Sequence, residues 1–102
     1  MAQNYIMRSM KFEGALMVNV CDEELVGKKL VEGRLSITID GRYFNGEVVN
    51  EQAAVRMLKS CDIANLVGRR IISKAVKENL ADPRAVRFID GVPFLMIYKF
   101  SA

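Results

Sequence analysis

Residues 63–80, IANLVGRRIISKAVKENL, form the longest run of helical periodicity in the chain and hold its densest basic cluster. At about 100° per residue, one side of the predicted helix is apolar and the other is polar. The apolar side comprises Ile71, Ile72, Ala75, Val76 and Leu80, and the polar side comprises Arg70, Ser73, Lys74, Lys77 and Glu78. Ile63, Leu66 and Val67 would fall on the polar side of one straight helix. The pattern therefore predicts a short helix that ends near Gly68 and a longer helix after it.

Length and composition describe one ordinary globular domain. The chain has 102 residues, 51% of them hydrophobic and 26% charged, and no apolar run approaches the roughly 20 residues that a membrane span needs. The net charge of +3 permits contact with nucleic acid without requiring it. The N-terminal residues do not resemble a secretory signal. We expect Cys21 and Cys61 to be free thiols in a reducing cytosol, with a disulfide as the lesser alternative.

The chain contains no histidine, which excludes the function classes that need an imidazole. No Ser-His-Asp or Cys-His arrangement is possible, and neither is a zinc site that contains histidine. Any catalysis would have to use carboxylates, lysine, tyrosine or cysteine. An enzyme is therefore the less favoured class, and we assign no catalytic residue, no cofactor and no metal site.

The rest of the chain alternates strand and helix patterns. Asp22 is predicted to cap a short helix, and Asn50 is predicted to cap a helix that runs to about Ser60. Together the patterns predict an α+β fold in a single domain over residues 1–102, with residues 1–4 as a frayed end. The sheet is expected to be mainly antiparallel, with two or three helices packed on one face. Strands are predicted at residues 5–12, 15–21, 35–39, 86–89 and 94–100, with short extended pieces at 42–44 and 47–49 and turns at Glu13-Gly14, Asp40-Gly41, Asn45-Gly46 and Asp90-Gly91.

Five segments are distinctive when taken together in this order: VCDEELVGK from Val20, FNGEVVNEQAAVRML from Phe44, IANLVG from Ile63, DPRAV from Asp82 and GVP from Gly91. They resemble a small archaeal family of unknown function, DUF424. The resemblance covers about residues 16–94. It implies a short, single-domain, cytosolic archaeal protein of no established activity, with an RNA-binding or translation-associated role as an expectation. It transfers no site residue, because the family has no assigned catalytic residues.

Four basic residues of the central stretch form the first candidate site for nucleic acid or another anion. They are Arg69, Arg70, Lys74 and Lys77. The last three follow i, i+4, i+7 spacing and project together from a helix, as a row that suits a phosphate backbone. The alternative is a solvated helix face, because Glu78 lies beside Lys74 and dilutes the charge. Three further basic residues would extend the patch if they lay on the same side, namely Lys28, Lys29 and Arg34.

Asn65 and Gly68 form the second candidate site, where the two predicted helices meet. The amide of Asn65 would either cap backbone groups at this junction or contact a ligand, and capping is the preferred interpretation. If the chain bends at Gly68, the amides that open the second helix would form a small anion site beside Arg69 and Arg70.

We interpret the segment around Cys21 as structural and not as a catalytic or metal site. Cys21 precedes a predicted helix N-terminus, which lowers the pKa of a thiol, but neighbouring carboxylates raise it and no histidine can act as a base. The acidic residues lack the spacing of an oxygen-ligand metal loop, so we interpret them as capping and surface residues. They are Asp22, Glu23, Glu24 and Glu32.

The leading hypothesis is a non-enzymatic binding module of the archaeal cytosol whose partner is RNA or a ribonucleoprotein. Its second helix would contact phosphates and not base edges, since the sequence has no stacking motif of the RRM type. The alternative is a protein–protein interaction or homo-oligomerising module with no nucleic-acid role. It would use the last strand, if that strand lies at an exposed edge. The side chains concerned are Phe94, Met96, Tyr98 and Phe100.

Overall fold

A six-stranded mixed sheet and a separate two-stranded hairpin make up most of the protein. The computed structural model describes residues 4–40 and 46–99. The strands are β1 (Tyr5–Phe12), β2 (Ala15–Asp22), β3 (Lys29–Glu32), β4 (Leu35–Thr38), β5 (Glu47–Val49), β6 (Ile63–Val67), β7 (Arg87–Ile89) and β8 (Val92–Tyr98), and the helices are α1 (Glu51–Ser60) and α2 (Arg69–Lys77). The large sheet has the order β5-β1-β2-β6-β8-β7, and β3 pairs with β4. The α+β class is confirmed, with two α-helices in the described ranges.

One strand pair makes the large sheet mixed. β2 and β6 run parallel, with Asn19 opposite Asn65, whereas the other neighbouring strands of this sheet pair antiparallel. Parallel neighbours need a crossover connection, and α1 lies in the segment that joins β2 to β6. The predicted hairpin of β1 and β2 is confirmed, with Glu13 and Gly14 at positive φ in its turn.

The prediction of a short helix before Gly68 is wrong, because residues 63–67 form strand β6. Ala64 and Leu66 are buried, and β6 is hydrogen-bonded to β2 on one side and to β8 on the other. A mainly apolar stretch of five residues fits either periodicity, and pairing on both edges decides in favour of the strand. The irregularity at Gly68 is real, but it marks a change from strand to helix.

Two α-helices and the central strands share one buried cluster. The predicted cap of α1 is confirmed, since the side chain of Asn50 accepts a hydrogen bond of 2.9 Å from the amide of Ala53. The predicted apolar side of α2 also lies in the core. The cluster includes Val18, Val20, Ala54, Leu58, Cys61, Ala64, Leu66, Ile71, Ile72, Ala75, Leu95 and Ile97.

A second, smaller cluster joins the hairpin of β3 and β4 to the large sheet. Leu30 and Ile39 pack there against Cys21 and Val67, which alternate with the residues that face the helices. The sequence did not predict β3, because only Leu30 among its four residues is buried and no alternation is visible. The predicted short helix after Asp22 is a single 3-10 turn, Glu23–Leu25.

The last strands form a second hairpin through the predicted turn at Asp90 and Gly91. β8 lies between β6 and β7, so it is not the edge strand that the interaction hypothesis requires. Phe100, the extended piece at 42–44, and parts of the turns at Asp40-Gly41 and Asn45-Gly46 lie outside the described residues. Within the described ranges, the helices are too short or too polar to cross a membrane.

Candidate functional site

The N-terminus of α2 is capped by a carboxylate from strand β2. Asp22, at the end of β2, accepts hydrogen bonds from the amides of Arg70 (2.9 Å) and Ile71 (3.0 Å). Asp22 stands at the N-cap position of the 3-10 turn that follows it, as predicted, but its side chain makes no capping bond to that turn. The amides that open the second helix already have an anionic partner within the chain, at the place where the sequence suggested a site for an external anion.

Gly68 makes this arrangement possible. Its backbone has φ 118° and ψ 153°, a conformation that side-chain-bearing residues rarely adopt. A Cβ at this position would lie 2.8 Å from the Cβ of Asp22 and closer still to its carboxyl carbon. Gly68 therefore supports the cap of α2 indirectly, because the absence of a side chain at Gly68 leaves room for the Asp22 carboxylate.

Burial and hydrogen bonding act in opposite directions on Asp22. Only 2% of the residue is exposed, and this burial raises the pKa of its carboxyl above the ordinary value. The amides of Arg70 and Ile71, together with the Arg70 guanidinium, lower that pKa and offset part of the rise. The carboxylate is thus held in a dry position by directional bonds to the start of α2.

Arg70 is held by a network of intramolecular contacts. Its guanidinium donates to both carboxylate oxygens of Glu24, with Nη2–Oε1 at 2.6 Å and Nε–Oε2 at 3.0 Å. It also donates to the carbonyl of Asn4 (2.9 Å) and lies 4.6 Å from the ring centroid of Tyr5. The hydrogen bond to Glu24 is the main reason why the pKa of Arg70 is raised. Arg70 therefore ties α2 to β1 and to the turn after β2.

Arg69 makes a different contact from Arg70. Its guanidinium donates to the carbonyl of Gly91 (3.3 Å), and the residue is exposed. Arg69 and Arg70 both line a cavity of about 370 Å³ that also includes Lys28, Glu24 and Asp90. Basic and acidic groups alternate in this cavity, so its charge is mixed.

Lys74 lies in a groove between the two helices. The groove has a volume of about 350 Å³. Its lining residues are Glu51, Gln52, Val55, Arg56, Lys59, Lys74 and Glu78. Lys59 and Glu78 form an ion pair across it at 3.6 Å. Lys77 is exposed one turn further along α2. Arg56, Lys59 and Lys74 line this groove, and Lys77 lies outside its lining. We name these four residues together the helix-groove cations.

Arg56 and Lys59 were missed as site residues by the sequence analysis. Helical periodicity places both on the polar side of α1, but no local pattern indicates which polar side faces a neighbouring helix. Lys29 and Arg34 were expected to extend the basic patch only if they lay on the same side of the protein. They belong to the hairpin of β3 and β4. This hairpin packs against strand residues that alternate with those facing the helices, so it lies on the other side of the sheet.

Asn65 does not lie at a junction between helices. It is in the middle of β6, where its Nδ2 donates a 2.8 Å hydrogen bond to Oδ1 of Asn19 on the parallel neighbour β2. The predicted capping role is therefore wrong. Asn65 also lines a cavity of about 280 Å³ whose lining includes Arg87, Phe94 and Met96.

The two cysteines are buried free thiols, as predicted. Burial is the main cause that raises the pKa of Cys21 to about 12, with contributions from the charges of Asp22 and Glu24. Burial likewise raises the pKa of Cys61. Among the described residues, no group of three or more acidic or cysteine side chains is arranged to hold a metal ion.

Comparisons with known proteins identify the fold and a family. The profile of the family described as "Protein of unknown function (DUF424)" matches residues 10–100. A crystal structure of an uncharacterized conserved protein from Methanopyrus kandleri is similar to this chain with a TM-score of 0.81 and 18% sequence identity. The similarity covers 97% of this chain and 96% of that one. A search of functionally curated proteins finds no match.

Proposed function

The chain belongs to the DUF424 family, whose description names no activity, and we propose from the site geometry that it is a non-enzymatic, cytoplasmic module that binds RNA or a ribonucleoprotein. The observation that carries this proposal is the groove between α1 and α2, where cations from two helices lie around one concave surface. The helix-groove cations would contact phosphates. Arg70 contributes to stability, because its guanidinium is already bound to Glu24.

The lining of the groove carries a small excess of positive charge, which favours an anionic ligand. It includes three cations, Arg56, Lys59 and Lys74, and two carboxylates, Glu51 and Glu78. The Lys59–Glu78 pair is long at 3.6 Å, and the side chain of Lys59 is 55% exposed. Exposed pairs of this kind contribute roughly 0–1 kcal/mol, so a phosphate group can replace Glu78 as the partner of Lys59 at small cost.

The thiol chemistry supports a non-enzymatic role. A nucleophilic cysteine reacts as the thiolate, and burial together with the charges of Asp22 and Glu24 raises the pKa of Cys21 to about 12. Cys21 is fully buried, so a substrate has no access to it in the folded state. Two buried free thiols also fit the reducing cytosol that we propose as the location.

The test is a titration of purified protein against bulk tRNA and mixed single-stranded RNA over a series of salt concentrations. We expect binding that weakens with salt, because each neutralised phosphate releases condensed counterions. The double variant Lys74→Glu/Lys77→Glu should bind much more weakly. Loss of two phosphate contacts should also reduce the slope of log K against log salt by about 1.4 on single strands.

A matched control is available on the hairpin of β3 and β4. The variant Lys29→Glu/Arg34→Glu changes the net charge by the same amount at two exposed positions away from the groove. It should retain most of the binding. If both double variants lose affinity equally, only the overall charge matters and the groove is not the site. If the unmodified protein does not bind RNA even at low salt, the proposed function is wrong.

The alternative proposal is a protein–protein interaction or homo-oligomerising module. The observation in its favour is that Met96 and Tyr98 on β8 are 49% and 56% exposed. Large apolar groups in one exposed patch are typical of interfaces. Light scattering during size-exclusion chromatography tests it, and a concentration-independent monomer would exclude the homo-oligomer.

A further inference from the structure

One face of the last strands has the chemistry of a surface for unpaired nucleotides. In the register of the sheet, Asn65 lies opposite Met96, and Phe94 lies opposite Arg87. Tyr98 follows two residues after Met96 and therefore points to the same side, about 7 Å further along the strand. We name these five side chains the β8 face.

The β8 face combines an apolar floor with groups that bind nucleotides. The cavity of about 280 Å³ over β6 and β8 has Phe94, Met96, Asn65 and Arg87 among its lining residues. Asn65 uses one amide N–H toward Asn19. An amide has two N–H donors and one carbonyl acceptor, so Asn65 retains groups that can hydrogen-bond to a base edge.

Charge favours a nucleic acid over a second copy of this chain. None of the three strands concerned, β6, β7 and β8, carries an acidic residue, whereas Arg87 is exposed on the β8 face. A face-to-face dimer would bring these strands against their own copies and would offer no strand carboxylate to Arg87. A phosphate group would supply the missing negative charge, and the aromatic and methionine side chains would lie under the bases.

We propose that the β8 face binds unpaired bases of single-stranded RNA, with Tyr98 and Met96 as stacking surfaces, Asn65 at a base edge and Arg87 on a phosphate. This inference rests on the proposed function in requiring RNA as the ligand, but it assigns a different surface and a strand preference. Exposed sheet faces that stack two or three bases are an established way of recognising single strands. The helix-groove cations contact phosphates only and make no distinction between single and double strands.

The experiment measures fluorescence anisotropy with labelled single-stranded RNA of about ten nucleotides and with a duplex of the same length. The unmodified protein should bind the single strand at least tenfold more tightly. Tyr98→Ala should weaken single-strand binding on the order of tenfold, since stacking on one aromatic ring contributes about 1–3 kcal/mol per base. Met96→Ala and Arg87→Ala should weaken it as well, and duplex binding should change little.

Phe88→Ala is the matched control. Phe88 is 55% exposed, close to the 56% of Tyr98, but it alternates with Arg87 on β7 and points to the opposite side of the sheet. Its removal should leave single-strand affinity unchanged. Photochemical crosslinking of the unmodified protein gives an independent readout, and the crosslinked nucleotides should map to the peptide that contains residues 92–98.

The outcomes separate this inference from the proposed function. If Lys74→Glu/Lys77→Glu abolishes binding while Tyr98→Ala and Met96→Ala leave it intact, the β8 face is not used and the groove remains the site. Equal affinity for duplex and single strand overturns the inference as well. If Tyr98→Ala instead converts a dimer to a monomer without affecting RNA, the face is a protein interface. If no RNA binds, both proposals are wrong.

Discussion

Replacing Gly68 with alanine tests how the chain turns from β6 into α2. The backbone at Gly68 has φ 118° and ψ 153°, which is close to a glycine-only region. An alanine Cβ would lie 2.8 Å from the Cβ of Asp22 and would overlap its carboxyl group. Asp22 is only 2% exposed and holds two amides of the helix, so it cannot move aside without losing those bonds.

The expected loss of stability has two parts. Holding alanine in this backbone conformation costs about 1–3 kcal/mol. Displacing the Asp22 carboxylate disturbs its charge-assisted hydrogen bonds to the amides of Arg70 and Ile71, and the loss of one of these bonds costs about a further 1.5–3 kcal/mol. We therefore expect Gly68→Ala to lower the free energy of unfolding by roughly 2.5–6 kcal/mol, a large part of the 5–15 kcal/mol that a domain typically has.

Urea denaturation followed by circular dichroism measures this loss, and Gly27→Ala is its control. Gly27 also has a positive φ, 95°, but a Cβ there would meet no atom within 4 Å. Gly27→Ala should therefore show only the backbone part of the loss. In native-state hydrogen exchange, the amides of Arg70 and Ile71 should lose protection in Gly68→Ala and keep it in Gly27→Ala.

Equal losses in the two glycine variants would refute the argument, because they would leave no contribution from Asp22. A double-mutant cycle with Asp22→Ala provides a second test. If the alanine at position 68 displaces the Asp22 carboxylate, both Gly68→Ala and Asp22→Ala lose the same cap of α2. The double variant should then lose less than their sum, and full additivity would contradict the mechanism.

Four further predictions follow from individual contacts. Arg70→Lys keeps the charge but loses the two-pronged contact with Glu24, so the free energy of unfolding should fall by about 1 kcal/mol in urea denaturation. The hydrogen bond from Arg70 lowers the pKa of Glu24, so ionised Glu24 stabilises the protein above its unfolded pKa and this contribution is lost as pH falls through the lower folded pKa. Glu24→Gln should therefore be less stable than the unmodified protein at neutral pH, and the difference should shrink as the pH falls below the unfolded pKa of Glu24. Cys21 is buried and has a pKa of about 12, so a thiol reagent at pH 7 should label it slowly in the native state and fast in urea. Fast labelling of the native protein would contradict this burial. Asn50→Ala removes the cap of α1 and should cost about 1 kcal/mol in thermal or urea unfolding.

Features with a local cause were predictable from the sequence. Asn50 was identified as a cap because its partner, the amide of Ala53, lies three residues away. The apolar side of α2 was identified because helical geometry alone brings Ile71, Ile72 and Ala75 together. The hairpin of β1 and β2 was identified because a turn dipeptide separates two alternating runs.

Features decided by distant partners were not predictable. Residues 63–67 could follow either periodicity, and β6 is selected by hydrogen bonds to β2 and β8, which are remote in sequence. Asp22 had the expected spacing for a local cap, but its partners lie 48 and 49 residues away. β3 became a strand through pairing with β4 and the burial of one leucine, Leu30, which leaves no sequence pattern.

The predicted basic site also combines residues with only local surroundings and a residue with distant partners. This difference determines which substitutions can test binding. Arg70, Lys74 and Lys77 are equivalent on a helical wheel, but only Arg70 meets a carboxylate and an aromatic ring from elsewhere in the chain. Reversing the charge of Arg70 would place two carboxylates together at a side chain that is only 20% exposed, so lost RNA binding would be inseparable from lost folding. Reversal at Lys74 and Lys77 breaks no such network, so binding measured there reports on the surface itself.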